Sequence, residues 1–306
     1  MPQIRANGIE MEYRTYGPKG GVPFLLIHGF GQQLTAWPEE LIDGLVTAGL
    51  HVIVFDNRDV GLTQKWDGQI PDLDAAITAL RAGKKAEVPY LLRDMAADAA
   101  GLLSALGIES AHICGASMGG MIAQLVALDH AAKARSLIEI FSTTNDTGLP
   151  PSTTEAHLAL TTPAPSNDRA AVIAHTLKSS RAFASTGFAI DEARKAEHIG
   201  IAYDRMFYPE GALRHWAAIV ASPPRGKRLR ALKLPALVLH GGADTLLPPE
   251  HGRAVAGCIE GSEYHEIEGW GHDMPLDVIP LLLGFILPFV ERVEKGALTL
   301  ARHGRA

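Results

Sequence analysis

A fold of the α/β class, with a mostly parallel central sheet flanked by helices, is what this sequence predicts, and three observations predict it. Continuous apolar runs of strand length recur at 24–27, 51–55, 111–114, 137–141, 236–239 and 264–267, as strands covered on both faces require. Segments of helical period lie between them. In the clearest, Leu92, Met95, Ala99, Leu102, Leu103 and Leu106 recur at spacings of three and four, and Gly107 stands where a left-handed C-cap belongs. The third observation is an interruption: 143–234 far exceeds the dozen or so residues of a crossover connection, which predicts an inserted helical segment over the strand ends.

The elements follow in order. Asn7-Gly8 joins two short strand-like stretches and favours a two-residue hairpin, because both central positions need positive φ. The parallel core is expected to comprise 1–142 and 235–306, with 143–234 as a helical cap. That insert opens with Pro150-Pro151 and a Ser/Thr/Pro-rich stretch to Asn167, and closes with Pro223-Pro224 and a basic run over 225–233. Within it, 170–180 and 191–201 read as helical. A final helix is expected over 281–293, followed by a polar, basic tail after Lys295 that is expected to fray.

Composition narrows the function classes. At 306 residues, with 47% hydrophobic and 20% charged, the chain can bury a large core and is not mainly disordered. Lysine and arginine number 28 against 34 acidic residues, a net charge of −6; this offers no electrostatic footprint for nucleic acid or an anionic membrane and suits a neutral small-molecule substrate. Two cysteines, Cys114 and Cys258, exclude a disulfide framework and a four-cysteine metal site, and fit a reducing compartment. The N-terminus lacks the basic start and apolar run of a secretory signal. The longest apolar stretch, near 279–290, is broken by Pro280, Gly284 and Pro288 and is too short to span a bilayer. A cytoplasmic location is expected; oligomeric state leaves no mark in the sequence.

The chemistry concentrates at predicted strand ends, where α/β sheets place their ligands. GASMG at 115–119 follows one strand and begins a helical segment, the setting of a G-x-S-x-G nucleophile turn. Gly115 and Gly119 remove β-carbons that would collide as strand and helix close on Ser117, whose hydroxyl then stands at a helix N-terminus. A glycine-rich turn with an incidental serine is the bland alternative. A serine nucleophile needs a histidine base and a carboxylate to orient it. His272, in GWGHDMP after the strand 264–267, is the candidate base; His251 and His265 are expected on helix or strand surface. Asp244, in HGGADTLLPP after the strand 236–239, is the candidate acid, with Asp146 as the alternative position. HGFG at 28–31 ends the first parallel strand, and its Phe30 amide with that of Met118 could receive an oxyanion.

Candidate pocket residues are Gly29 beside this turn and Phe183, Phe207 and Trp216 in the insert, with Phe188, Met206 and Tyr208 as further apolar candidates; formation of the insert's own small core is the competing role for each. Asn57 and Arg58 could shape the pocket floor, although an ion pair of Arg58 with a nearby carboxylate such as Asp59 is the default. Cys114 reads as buried strand packing and not as a nucleophile. No metal or organic cofactor is implied.

HGFG, GASMG, HGGAD and GWGH, in that order and spacing, make the chain resemble the α/β-hydrolase superfamily over essentially its whole length. FDNRDVGLT at 55–63, AWPEELIDGLVTAGLHV at 36–52 and ASMGGMIAQLVALDH at 116–130 look more narrowly like bacterial esterases of the aclacinomycin methylesterase type. The resemblance implies an inserted cap and serine-dependent hydrolysis of a small-molecule carboxylic ester through an acyl-enzyme. Haloalkane dehalogenases and epoxide hydrolases of this fold use an aspartate where this chain has Ser117. Thioesterases, C–C bond hydrolases, perhydrolases and acyltransferases share the serine arrangement and stay open, as does a non-catalytic ligand sensor.

Overall fold

In the computed structural model, which describes residues 2–296, the strands are β1 (Gln3–Ala6), β2 (Ile9–Tyr16), β3 (Val22–Ile27), β4 (Leu50–Phe55), β5 (Ala111–Ala116), β6 (Ala134–Ile140), β7 (Ala236–Gly241) and β8 (Glu263–Ile267). They form one sheet in the order β1-β2-β4-β3-β5-β6-β7-β8. β1 pairs with β2, and β2 with β4, antiparallel; every other pairing is parallel. The predicted hairpin is present: Asn7 and Gly8 take φ of 48° and 82°, and Ala6 faces Ile9. The six predicted parallel strands all occur, each longer than its apolar run.

The helices before the β6–β7 connection are α1 (Glu39–Thr47), α2 (Leu73–Arg81), α3 (Leu92–Ala105) and α4 (Met118–Asp129). That connection carries α5 (Thr154–Thr161), α6 (Arg169–Ser180), α7 (Glu192–Met206), α8 (Pro209–Ala221) and α9 (Gly226–Leu229), and the chain ends with α10 (Glu250–Cys258) and α11 (Ile279–Glu294). Helices α5, α8 and α9 do not follow from the sequence pattern. α5 lies in the Ser/Thr/Pro-rich stretch, started by Thr153, whose side chain accepts the Ala156 N–H; α8 begins on Pro209, whose fixed φ suits a first helical turn. The tail expected to fray lies mostly outside the described residues.

Each face of the sheet carries a core. On one side Leu25, Ile27, Ile113 and Val238 pack with Met95, Leu102, Leu103 and Ile122 from α3 and α4. On the other, Phe24, Leu26, Val54 and Leu239 pack with Leu41 and Leu45 of α1 and Leu282, Ile286 and Phe289 of α11. Burial on both faces is why these strands read as continuous apolar runs. β3 pairs with β4 on one side and β5 on the other, so chain order reverses there and a crevice opens at the carboxyl ends of β3 and β5.

Two ion pairs tie the β6–β7 connection to the loop after β4. Arg205 of α7 meets Asp56 at 2.7 Å, and Arg214 of α8 meets Asp59 at 2.8 Å. Arg58 does not pair with its sequence neighbour Asp59; it turns to Asp98 of α3, at 2.6 Å. Asp59 has φ of 68°, which turns its carboxylate toward Arg214 and Tyr90. Among the described residues no helix is long and apolar enough to cross a membrane.

Candidate active site

The turn between β5 and α4 is closed by absent side chains. A β-carbon on Gly115 would lie 2.1 Å from the Gly119 carbonyl oxygen, and one on Gly120 would lie 2.5 Å from Ser142. Ser117 takes φ 56° and ψ −121°, a sparsely populated conformation for a residue with a β-carbon. It is held there because its N–H donates to the Ile140 carbonyl at 2.9 Å, while its own carbonyl accepts the Ser142 hydroxyl at 2.8 Å.

His272 and Asp244 come to this serine from the ends of β8 and β7. His272 Nε2 is 2.9 Å from Ser117 Oγ, and His272 Nδ1 is 2.6 Å from Asp244 Oδ2. A carboxylate only accepts, so Nδ1 carries the proton and Nε2 is free to accept from the serine hydroxyl. The other oxygen of Asp244 accepts the N–H groups of Leu246 and Leu247 at 2.9 and 2.8 Å, which fixes the orientation of the carboxylate toward His272. The alternative acid, Asp146, is elsewhere: it accepts from Thr144 Oγ1 and from the Gly226 N–H.

The histidine loop is gripped by the turn between α6 and α7. The His272 N–H donates to the Phe183 carbonyl at 2.7 Å, and the Gly271 N–H donates to Ser185 Oγ at 3.0 Å. Ser185 in turn donates to Asp273 at 2.5 Å. The rings of Phe141 and Phe183 lie 4.4 and 6.3 Å from the imidazole, centre to centre. No motif in the sequence marks Ser185, because its partner is 88 residues away.

The HGFG loop lies against the serine turn. A β-carbon on Gly29 would sit 3.4 Å from that of Ser117. Among the described residues, the N–H groups of Phe30 and Met118 have no hydrogen-bond acceptor, and both residues line the cavity into which Ser117 opens. His28 anchors one end of the loop by accepting the Asn57 N–H at 3.2 Å. His215 of α8 anchors the other: its Nδ1 accepts the Gly31 N–H at 3.3 Å while Nε2 donates to the Arg58 carbonyl at 2.7 Å. Burial pushes the His215 imidazole down to about 4, so it stays neutral and keeps the lone pair that Gly31 needs. Phe30 meets Trp216, the next residue of α8, edge to face at 6.0 Å.

Ser117 and His272 open into a cavity of about 610 Å³. Gly29, Phe183 and Trp216 line it, but Phe207 does not: it stacks on Tyr203 at 4.7 Å within the β6–β7 connection. Of the further candidates, Phe188 packs on the sheet core, Met206 is 37% exposed, and Tyr208 bonds Asp67 and Arg214. Asn57 and Arg58 lie outside the cavity lining, committed to His28 and Asp98. His251 is buried, contrary to expectation, and joins Thr143 Oγ1 to the Pro150 carbonyl. His265 stacks on Phe285 with ring centres 4.0 Å apart. Cys114 is buried and burial drives its thiol pKa upward, away from nucleophilic use. Among the described residues no group of three or more His, Cys, Asp or Glu side chains could hold a metal ion.

Residues 22–277 match the family model described as alpha/beta hydrolase fold. Rhodomycin D methylesterases of Streptomyces sp. (strain C5) and Streptomyces peucetius are each 28% identical to this chain, over 86% of it and 88% of the relative. A bifunctional esterase/perhydrolase of Acinetobacter calcoaceticus is 24% identical, over 93% of this chain and 97% of its own. Among solved structures, the fold is similar to that of a meta-cleavage product hydrolase from Pseudomonas fluorescens IP01, with a TM-score of 0.74 at 19% identity over 95% of this chain and 98% of that one. An enol-lactonase from Burkholderia xenovorans LB400 gives a TM-score of 0.70 at 20% identity over 95% and 100%.

Proposed function

Since the chain belongs to the alpha/beta hydrolase family, we propose that it hydrolyses a small-molecule carboxylic ester by acyl transfer through Ser117. The observation that carries this reading is the relay of 2.9 and 2.6 Å from Ser117 through His272 to Asp244 at the wall of one cavity. His272 takes the serine proton as Ser117 Oγ attacks the ester carbonyl, and the charge gathers on the former carbonyl oxygen. The amides of Phe30, in the HGFG loop, and Met118, at the N-terminus of α4, receive that oxyanion; unpaired donors so placed stabilise charge that develops only in the transition state. His272 then gives the proton to the departing alcohol. Water, deprotonated by the same imidazole, releases the acid and restores Ser117, while Asp244 stays ionised throughout.

Residues 143–234 act as a cap, closing the cavity over the strand ends with Trp216 and Phe183. A volume of about 610 Å³ takes a drug-sized acyl or alcohol group, and the rhodomycin D methylesterases among the relatives favour a methyl ester. The buried, unpaired Cys114 and Cys258 suit a reducing cytoplasm. The test is steady-state turnover of p-nitrophenyl and methyl esters with labelling by a fluorophosphonate. Ser117→Ala is expected to lose nearly all turnover and all labelling while remaining folded; turnover surviving in that variant, or label on another residue, would overturn the assignment. A stoichiometric burst without turnover would favour a ligand sensor.

A further inference from the structure

The cavity carries a concentration of charge on one wall, formed by α7 and its N-cap, where Asp191, Arg194, Lys195 and His198 line it. Two of these are already committed. Arg194 forks onto Glu40 at 2.6 and 2.7 Å, and Asp191 accepts the Arg194 N–H at 2.9 Å as the helix cap. Asp273, on the facing loop, is taken by the N–H and hydroxyl of Ser185. The side chains of Lys195 and His198 make neither a hydrogen bond nor an ion pair with any described residue. They stand three residues apart, so they are neighbours on one helix face, with β-carbons roughly 5–6 Å apart.

Lys195 is half-buried. Burial lowers its ammonium pKa, opposed by the charges of Asp273 and Glu192; Glu192 is itself forked by Arg181, and Glu40, a carboxylate on which His198 acts, by Arg194. A desolvated cation without a direct partner is unfavourable, and an anion beside it would offset that. Surface acidity argues nothing against this, because the net charge of −6 says nothing about one wall of one cavity.

We infer that Lys195 and His198 form an anion subsite in the cavity that Ser117 opens into, so that the substrate carries a carboxylate or similar anionic group apart from the scissile ester. This rests on the reading of Ser117 as an esterase nucleophile, and it departs from the neutral substrate that the overall charge suggests. Lys195 supplies a point charge and His198 a hydrogen bond; together they would hold one end of a bifunctional acid while the ester at the other end meets Ser117.

The experiment compares monomethyl and dimethyl esters of straight-chain diacids from succinic to suberic, a series that samples the unknown span. In Lys195→Met, kcat/KM for the best half-ester should fall about tenfold more than for its diester, mostly through KM, as loss of one charge-assisted contact would produce. Equal losses on both esters, or none, would overturn the subsite. A second arm removes turnover from the question: calorimetric titration of the same half-esters into Ser117→Ala, with and without Lys195→Met. Binding weakened about tenfold by the second substitution supports the subsite, even if no ester is turned over, in which case it is the esterase reading that fails. Turnover of diesters with no Lys195-dependent binding at any chain length leaves the esterase reading standing and removes the subsite.

Discussion

Gly119 and Ile27 approach so closely that a β-carbon at position 119 would lie 1.9 Å from the Ile27 carbonyl oxygen. This contact joins the end of β3, which carries the HGFG loop, to the first turn of α4, which carries the Met118 amide. The Ile27 carbonyl is backbone, so it cannot rotate away. Gly119→Ala is expected to destabilise the fold by about 3 kcal/mol and to cut ester turnover further than stability alone explains, because the amides of Phe30 and Met118 are forced apart. Urea unfolding and p-nitrophenyl acetate turnover measure the two effects. Gly257→Ala in α10 is the control: nothing lies within 4 Å of its β-carbon position, and the change should stabilise by roughly 0.5–1 kcal/mol.

Asp244→Asn isolates tautomer control. Asn can still accept the Leu246 and Leu247 N–H groups through its amide oxygen, which leaves the NH₂ facing His272 Nδ1. The imidazole must then carry its proton on Nε2, toward Ser117, and cannot accept the hydroxyl proton. A loss of about 10⁴ in kcat with an unchanged unfolding curve is expected. Turnover within tenfold of the parent would mean that Asp244 does not set the tautomer.

What could be read from the chain, and what could not, divides along sequence distance. The serine turn, the histidine loop and the opening hairpin are local events in which glycines and short apolar runs sit beside the residues they position, so each left a mark in a window of ten. The partners that hold these loops came from far away. The ion pair expected of Arg58 forms, but with Asp98, 40 residues on, and not with its neighbour Asp59, which is engaged by Arg214 at a separation of 155. Nothing in a linear pattern specifies such pairs. Phe207 failed for a related reason: an aromatic side chain in the insert has two apolar places to go, and only the packing of α7 shows that it chose Tyr203.

Arg214 and Asp59 are fully buried, and the carboxylate also accepts from Tyr90 Oη at 2.6 Å and the Trp66 N–H at 2.8 Å. Arg214→Met leaves that anion without its cation and should cost about 3–5 kcal/mol. Adding Asp59→Asn should recover part of the loss, since the amide is neutral and tolerates the positive φ of this position. A double-mutant cycle in urea reads the coupling; strictly additive losses would show that the pair does not hold α8 to the loop after β4.

His215 gives the fold a sensitivity to acid. Its folded pKa of about 4 lies below the ordinary 6.5 because the ring is buried. Between these values the unfolded chain takes up a proton that the folded protein does not. Its contribution is therefore complete above about pH 6.5 and falls as the pH drops toward 4, by up to roughly 3 kcal/mol. His215→Gln, which can present an acceptor to Gly31, should flatten this part of the urea-midpoint profile relative to the parent. An identical slope between pH 6.5 and 4 in both proteins would assign the acid sensitivity to the other buried histidines.

Glu139 works in the opposite direction, from the strand behind the nucleophile. It is completely buried on β6 and pushed up to about 8 by that burial, although the Gln124 amide donates to one oxygen at 3.0 Å and Arg225 lies near. Its second oxygen has no hydrogen-bond partner. Because the folded pKa exceeds the ordinary 4.5, the folded state holds a proton that the unfolded chain has released, and stability declines as pH rises from about 4.5 through 8. Glu139→Gln keeps an acceptor for Gln124 and removes the ionisation, so it should be more stable than the parent at pH 8 and nearly equal to it at pH 5. If the variant is instead less stable at both pH values by the same amount, the carboxyl is ionised in the folded state and paired with Arg225, and its burial is stabilising in the form that this reading takes to be unfavourable.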